Sequence, residues 1–158
     1  MQRSERSTMF PRVRGANLER RPFTLPDGFD GERNLVLIAF KREQQFEIDT
    51  WTPTAQRLAQ GRPSFRYYEL PTISRGLPLG RWWLDSAMRA GIPDRAAREA
   101  TITLYLDKKA FREALDLPTE ETIYALLVDR AGRVLWRSEG VATDEKARDL
   151  ERALDELN

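Results

Sequence analysis

Two stretches of this chain, Leu35–Phe40 and Tyr124–Val128, are unbroken runs of apolar side chains. A strand that shows one face to water alternates apolar with polar residues, whereas a strand covered on both faces does not. Two such runs call for central strands of one sheet with helices packed against both of its sides, a layered α/β fold. At 158 residues the chain is long enough to bury such a core without a disulfide or a metal.

The segments between these runs punctuate in a regular way. Residues 1–9 are polar and without period, and are expected to form a disordered basic arm; residues 10–158 are expected to form a single domain. Arg3, Arg6, Arg12, Arg14, Arg20 and Arg21 face only Glu5 and Glu19 over residues 1–21. This basic excess suits either a solvated arm or a peripheral contact with an anionic membrane surface or a protein partner. Phe10 to Pro26 is an extended entry segment, with Phe23–Leu25 as a short strand and Pro26-Asp27-Gly28 as a turn. A first core strand, Asn34–Phe40, leads towards a helix capped by Thr52, with Pro53 at its first position and Trp51, Ala55 and Leu58 on one face. A second strand, Ser64–Leu70, is ended by Pro71, and a loop over Gly76–Gly80 precedes a helix over Arg81–Gly91. Thr101–Leu106 is a third strand. Asp107 caps a helix that buries Phe111 and Leu115 and stops at Pro118. Thr122–Asp129 is a fourth strand, and Asp129-Arg-Ala-Gly132 turns into a partner strand, Arg133–Arg137. Thr143 caps a last helix whose buried stripe is Leu150, Leu154 and Leu157. A βαβ-rich half followed by a ββα unit is the thioredoxin-like layout: a mixed sheet of about five strands flanked by helices, with no repeat or linker dividing it.

Thiol chemistry is what that architecture usually performs, yet the chain has no cysteine and no histidine. Disulfide, thiol nucleophile, thiolate ligand, thiol–disulfide exchange and peroxidase activity are thereby excluded. The metal option that remains is a carboxylate cage for a hard ion, and no acidic loop of that kind is present, so no metal is expected. No P-loop, G-x-G-x-x-G or serine-nucleophile motif appears, so no cofactor is expected either. In thioredoxin-like redox proteins the active cysteine follows the first core strand at the start of the next helix, where the helix dipole lowers its pKa. Here that stretch is Lys41–Pro53, and the proline that often precedes the fourth core strand in redox members is replaced by Glu121-Thr122-Ile123. The vacated redox region comprises Glu43, Glu47, Asp49, Trp51 and Ile123. Its carboxylates suit either acid–base work, if their pKa values split, or simple complementarity to a helix start. Phe65, Tyr67 and Tyr68 in an arginine-rich chain imitate a stacking platform, but strand packing accounts for them and the net charge is only +1, so no nucleic-acid partner is expected. Both apolar runs are far short of the ~20 residues that span a bilayer. With no apolar leader segment, a cytoplasmic protein, peripheral at the membrane through its basic arm, is expected.

On the Arg81–Gly91 helix, Trp83, Leu84, Ala87 and Ala90 gather on one face, while Arg81, Asp85 and Arg89 line the other with Trp82 beside them. That polar stripe suits helical salt bridges with Trp82 folded under a loop, or a docking surface, since Trp and Arg are enriched at binding hot spots.

Phe10-Pro-Arg-Val-Arg-Gly15 with Asn17-Leu18, the strand Leu35–Phe40, and Arg81-Trp82 with Asp85, Met88 and Arg89 follow one another in order. They are followed by Tyr124–Asp129, Gly132-Arg133, Trp136 and Gly140. This series resembles the mitochondrial ATP synthase assembly factor (Atp ten) family, over about residues 10–155. The resemblance implies a redox-inactive relative of the peroxiredoxin-like proteins that acts as a chaperone, helping the a subunit of the membrane sector join the ring of c subunits. It implies a protein partner docked on Arg81, Trp82, Asp85, Met88 and Arg89. No mitochondrial presequence is evident, so a prokaryotic member is expected. A divergent enzyme using the carboxylates of Lys41–Pro53, and a redox-dead structural or interaction domain, are the alternatives.

Overall fold

The computed structural model describes residues 8–74 and 95–157. Within them the elements run β1 (Val13–Asn17), β2 (Pro22–Leu25), β3 (Arg33–Ala39), a 3-10 turn (Arg42–Gln44), α1 (Gln45–Asp49), α2 (Thr52–Gly61) and β4 (Phe65–Ser74). They continue as α3 (Arg95–Ala100), β5 (Ile102–Leu106), α4 (Lys108–Leu115), β6 (Tyr124–Asp129), β7 (Val134–Glu139) and α5 (Asp144–Glu156). The strands form one mixed sheet in the order β2-β1-β5-β4-β3-β6-β7, with β3 and β5 parallel to β4 and the remaining pairs antiparallel. The fold is α/β and thioredoxin-like. It has seven strands rather than about five, because the entry segment forms a hairpin, β1–β2, that adds to the edge at β5.

Both apolar runs are central, as their composition requires. β3 lies between β4 and β6, and every residue from Asn34 to Phe40 is buried. Alternate side chains feed two cores. Val36, Ile38, Tyr68, Leu70, Leu126 and Val128 pack with Phe111 and Leu115 of α4 and with Phe10 and Phe29. Leu35, Leu37, Ala125 and Leu127 pack on the other side with Ile48, Trp51, Ala55, Leu58, Leu150 and Leu154 from α1, α2 and α5. Asn34, the polar member of the strand, is fully buried: its amide donates to the Gly31 and Val128 carbonyls (2.9 and 3.1 Å) and its carbonyl accepts from Gly31 N (2.9 Å).

Several expected boundaries shift. Pro71 does not end β4; pairing with β3 ends at Ala39↔Pro71 and pairing with β5 begins at Thr72↔Leu104, so the missing N–H falls where the strand changes partner. Thr52 does not cap α2: α1 runs almost directly into it, Trp51 is already helical, and Thr52 is the first residue of the helix. Asp116, in the left-handed conformation, ends α4 before Pro118 is reached. Leu157 is the C-cap of α5 and is exposed, so the buried stripe stops at Leu154. Asp107 and Thr143 cap as expected, accepting from Ala110 N (3.2 Å) and Lys146 N (3.1 Å). Gly132 closes the Asp129 turn at φ +94. The expected arm is described only at its end, where Thr8 accepts from Val134 N (2.8 Å) and Met9 bridges Arg133. None of the described helices is long and apolar enough to cross a membrane.

Candidate functional site

The carboxyl ends of β3, β4 and β5, where open α/β sheets present their binding crevice, are organised by side chains that the sequence does not single out. β3 delivers the chain to Phe40 and Lys41, and the 3-10 turn folds Gln44 back beneath it. Gln44 is buried; its Oε1 accepts from Phe40 N (2.8 Å) and Lys41 N (3.1 Å), while its Nε2 donates to the Glu120 carbonyl (2.6 Å). Lys108 Nζ, at the first turn of α4, donates to the Phe40 carbonyl (3.1 Å) and pairs with Glu120 (3.3 Å). Lys41 pairs with Glu121 (2.7 Å), and the hydrogen bond that it donates to Glu121 raises the lysine's pKa. The backbone donors at this strand end, which an anion would otherwise use, are thus already satisfied by Gln44. A cavity of about 510 Å³ lies alongside, lined by Ser74, Leu106, Asp107, Lys108, Lys109 and Glu120.

The vacated redox residues separate into surface and core. Glu43 and Asp49 are exposed and Glu47 is half-buried, and none of them lines that cavity. Trp51 and Ile123 are fully buried. Trp51 donates from Nε1 to the Gly140 carbonyl (3.0 Å) and meets Trp136 edge to face with ring centroids 6.3 Å apart. Both are core residues. Among the described residues no three acidic side chains gather in a geometry that would hold a metal ion. Arg81, Trp82, Asp85, Met88 and Arg89 lie outside the described residues.

One acidic cluster does form, and it includes a residue that sequence reasoning missed. Glu69 comes up from β4, opposite Leu37, beneath α1. The Gln45 amide bridges it to Asp49, donating to Asp49 Oδ1 (3.0 Å) and Glu69 Oε1 (3.2 Å). Burial pushes the Glu69 carboxyl above its ordinary pKa; the Gln45 hydrogen bond opposes this and the Asp49 charge adds to it. On the outer face of α1 stands Phe46, 78% exposed. Its place was legible in principle. It lies two residues, about 200° of helix, from buried Ile48, so it must point the other way. Gln44 and Gln45 carried no comparable mark in a polar run.

With no cysteine in the chain, this arrangement offers no thiol nucleophile, and Gln44 occupies the Phe40 and Lys41 backbone donors. It presents an exposed aromatic ring, Phe46, on the same short helix as Gln45 and Asp49.

The family model described as ATP10 protein matches residues 1–157. No curated protein matches the sequence. Among solved structures the chain is similar to BsSco, a member of the Sco family of cytochrome c oxidase assembly proteins, at 14% identity and TM-score 0.64, covering 96% of each chain. It is similar to a thiol:disulfide interchange protein from Bacteroides sp. at 15% identity and TM-score 0.60, covering 92% of this chain and 88% of that one. A third similar structure is the thiol:disulfide interchange protein DsbE from Chlorobium tepidum, at 13% identity and TM-score 0.58, covering 96% of each chain. At these identities the structures establish the thioredoxin-like fold alone.

Proposed function

The chain belongs to the ATP10 protein family, and from that premise we propose that it is a non-catalytic binding protein that assists assembly of a membrane complex. Its client by resemblance is a membrane-sector subunit of ATP synthase. The observation that carries this reading is the family match over residues 1–157, nearly the whole chain. Two further points support it. The fold is one whose members usually carry a cysteine pair, and here no cysteine exists to react. The strand-end donors that could support an anion are consumed by Gln44 within the protein. The basic segment that precedes β1 would supply peripheral contact with an anionic membrane, and Arg81, Trp82, Asp85, Met88 and Arg89 would contact the client. A second reading, acid–base catalysis, has one observation in its favour, the raised pKa of Glu69 beside Asp49.

The test is to tag the protein in its native cell, crosslink gently, solubilise membranes and identify what co-purifies. Enrichment of the ATP synthase a subunit, lost in Trp82→Ala and Arg89→Ala versions, is the expected result. Recovery of no membrane-sector subunit, while a known synthase partner is captured in parallel, refutes the client assignment.

A further inference from the structure

Phe46 is the most exposed of the large apolar side chains described, 78% against 48% for Met9 and 43% for Tyr105. An aromatic ring standing in water at the carboxyl end of the central strand has no role in the fold's own packing. Around it carboxylates outnumber cations. Glu43 and Asp49 are exposed three residues to either side, Glu47 is the next residue in the chain, and Glu69 of β4 is tied to Asp49 through Gln45. Among the described residues none of these four carboxylates forms an ion pair; Lys41, the nearby lysine, is committed to Glu121. Arg42 is the counter-charge on the same turn.

We infer that the outer face of α1, centred on Phe46, docks a cationic segment of a partner protein that carries an aromatic or aliphatic residue beside its lysines or arginines. Such composition is that of the loops flanking the positively charged side of a membrane span, where Lys and Arg accumulate beside interfacial aromatics. This inference rests on the assembly-factor reading and adds to it the chemistry of the segment recognised. The apolar residue packs on Phe46, while the cations meet Asp49, Glu43 and Glu47. Gln45 keeps Asp49 and Glu69 fixed in advance, so the partner does not have to order them on binding. A cation held there favours the ionised form of Glu69.

A phage-displayed random peptide library selected on the full-length protein tests this without knowledge of the client. Peptides pairing Lys or Arg with an aromatic or aliphatic residue are expected to enrich. Fluorescence anisotropy with a synthetic copy of the leading peptide should then show at least about tenfold weaker binding to Phe46→Ser and to Asp49→Asn, the size of a hot-spot truncation. Binding should also weaken with added salt. Both positions are exposed, and an unchanged melting temperature shows that each variant folds. No enrichment, enrichment of acidic or purely polar peptides, or binding that survives both substitutions overturns the assignment. The two readings fail separately. Peptide binding through Phe46 without capture of the synthase subunit in cells leaves this surface standing and removes the client. Capture that persists in Phe46→Ser does the reverse.

Discussion

Gln44 is the residue on which the geometry of the strand end turns, and its substitution gives a quantitative test. It makes three hydrogen bonds, with Phe40 N, Lys41 N and the Glu120 carbonyl, joining the end of β3 to the loop that precedes β6. Each bond contributes about 1 kcal/mol net, and Phe40 N, on a buried residue, would be left without a partner. Gln44→Ala should therefore destabilise the fold by about 3 kcal/mol, which for a domain of this size is a loss of about 6–12 °C in melting temperature. Gln44→Glu keeps the shape and both accepted bonds but turns the donor facing Glu120 O, 2.6 Å away, into an oxygen. Protonated, it can still donate. Ionised, it sets two acceptors against each other, so its folded-state pKa lies above the unfolded value. Its stability should match wild type at low pH and be lost progressively as pH rises through the folded pKa. Urea unfolding followed by tryptophan fluorescence from pH 4 to 8 measures both variants. A cost below about 1 kcal/mol for the alanine, or a glutamate variant whose difference from wild type does not change with pH, refutes the reasoning.

Glu69→Gln removes a carboxyl whose pKa burial raises. Such a group binds its proton more tightly in the folded state, so wild-type stability falls as pH rises through the raised value; the variant should gain on wild type between acid and neutral pH in the same titration. Asn34→Leu removes the three hydrogen bonds that the buried amide makes with Gly31 N, Gly31 O and the Val128 carbonyl. A loss of about 3 kcal/mol is expected by chemical denaturation, and wild-type stability would mean that the buried amide is dispensable. Gly15→Ala would set a Cβ against the Thr103 carbonyl and 2.8 Å from Leu104 Cδ2, forcing β1 from β5. Hydrogen exchange should show faster exchange of the β1–β5 amides and a cost of at least about 2 kcal/mol; unchanged protection there contradicts the close approach.

The sheet's centre was written in the sequence because the signal is local. An unbroken apolar run such as Leu35–Phe40 has one stable use, and helix caps such as Asp107 and Thr143 depend on neighbours within three residues. The missing thiol was equally plain, since it depends on composition alone. The functional surface was less legible. Pro71, read as a strand stop, proved to lie inside β4, because what makes a proline tolerable is the change of partner from β3 to β5, a fact about other strands. Leu157 continues the helical period but not the burial, since periodicity does not know where its helix ends. Phe46 was within reach of a periodicity argument. Gln44, Gln45 and Glu69 were not: their roles arise from pairings with Glu120, Asp49 and one another, across as many as 76 residues of chain. Sequence alone determined that this is a layered α/β protein unable to do thiol chemistry, because burial pattern and residue type are properties of the chain itself. Only the tertiary structure decided that a buried glutamine occupies the strand-end donors and that the Gln45 amide joins carboxylates from β4 and α1. Hydrogen bonds and charge between distant residues exist only once folding has brought them within reach.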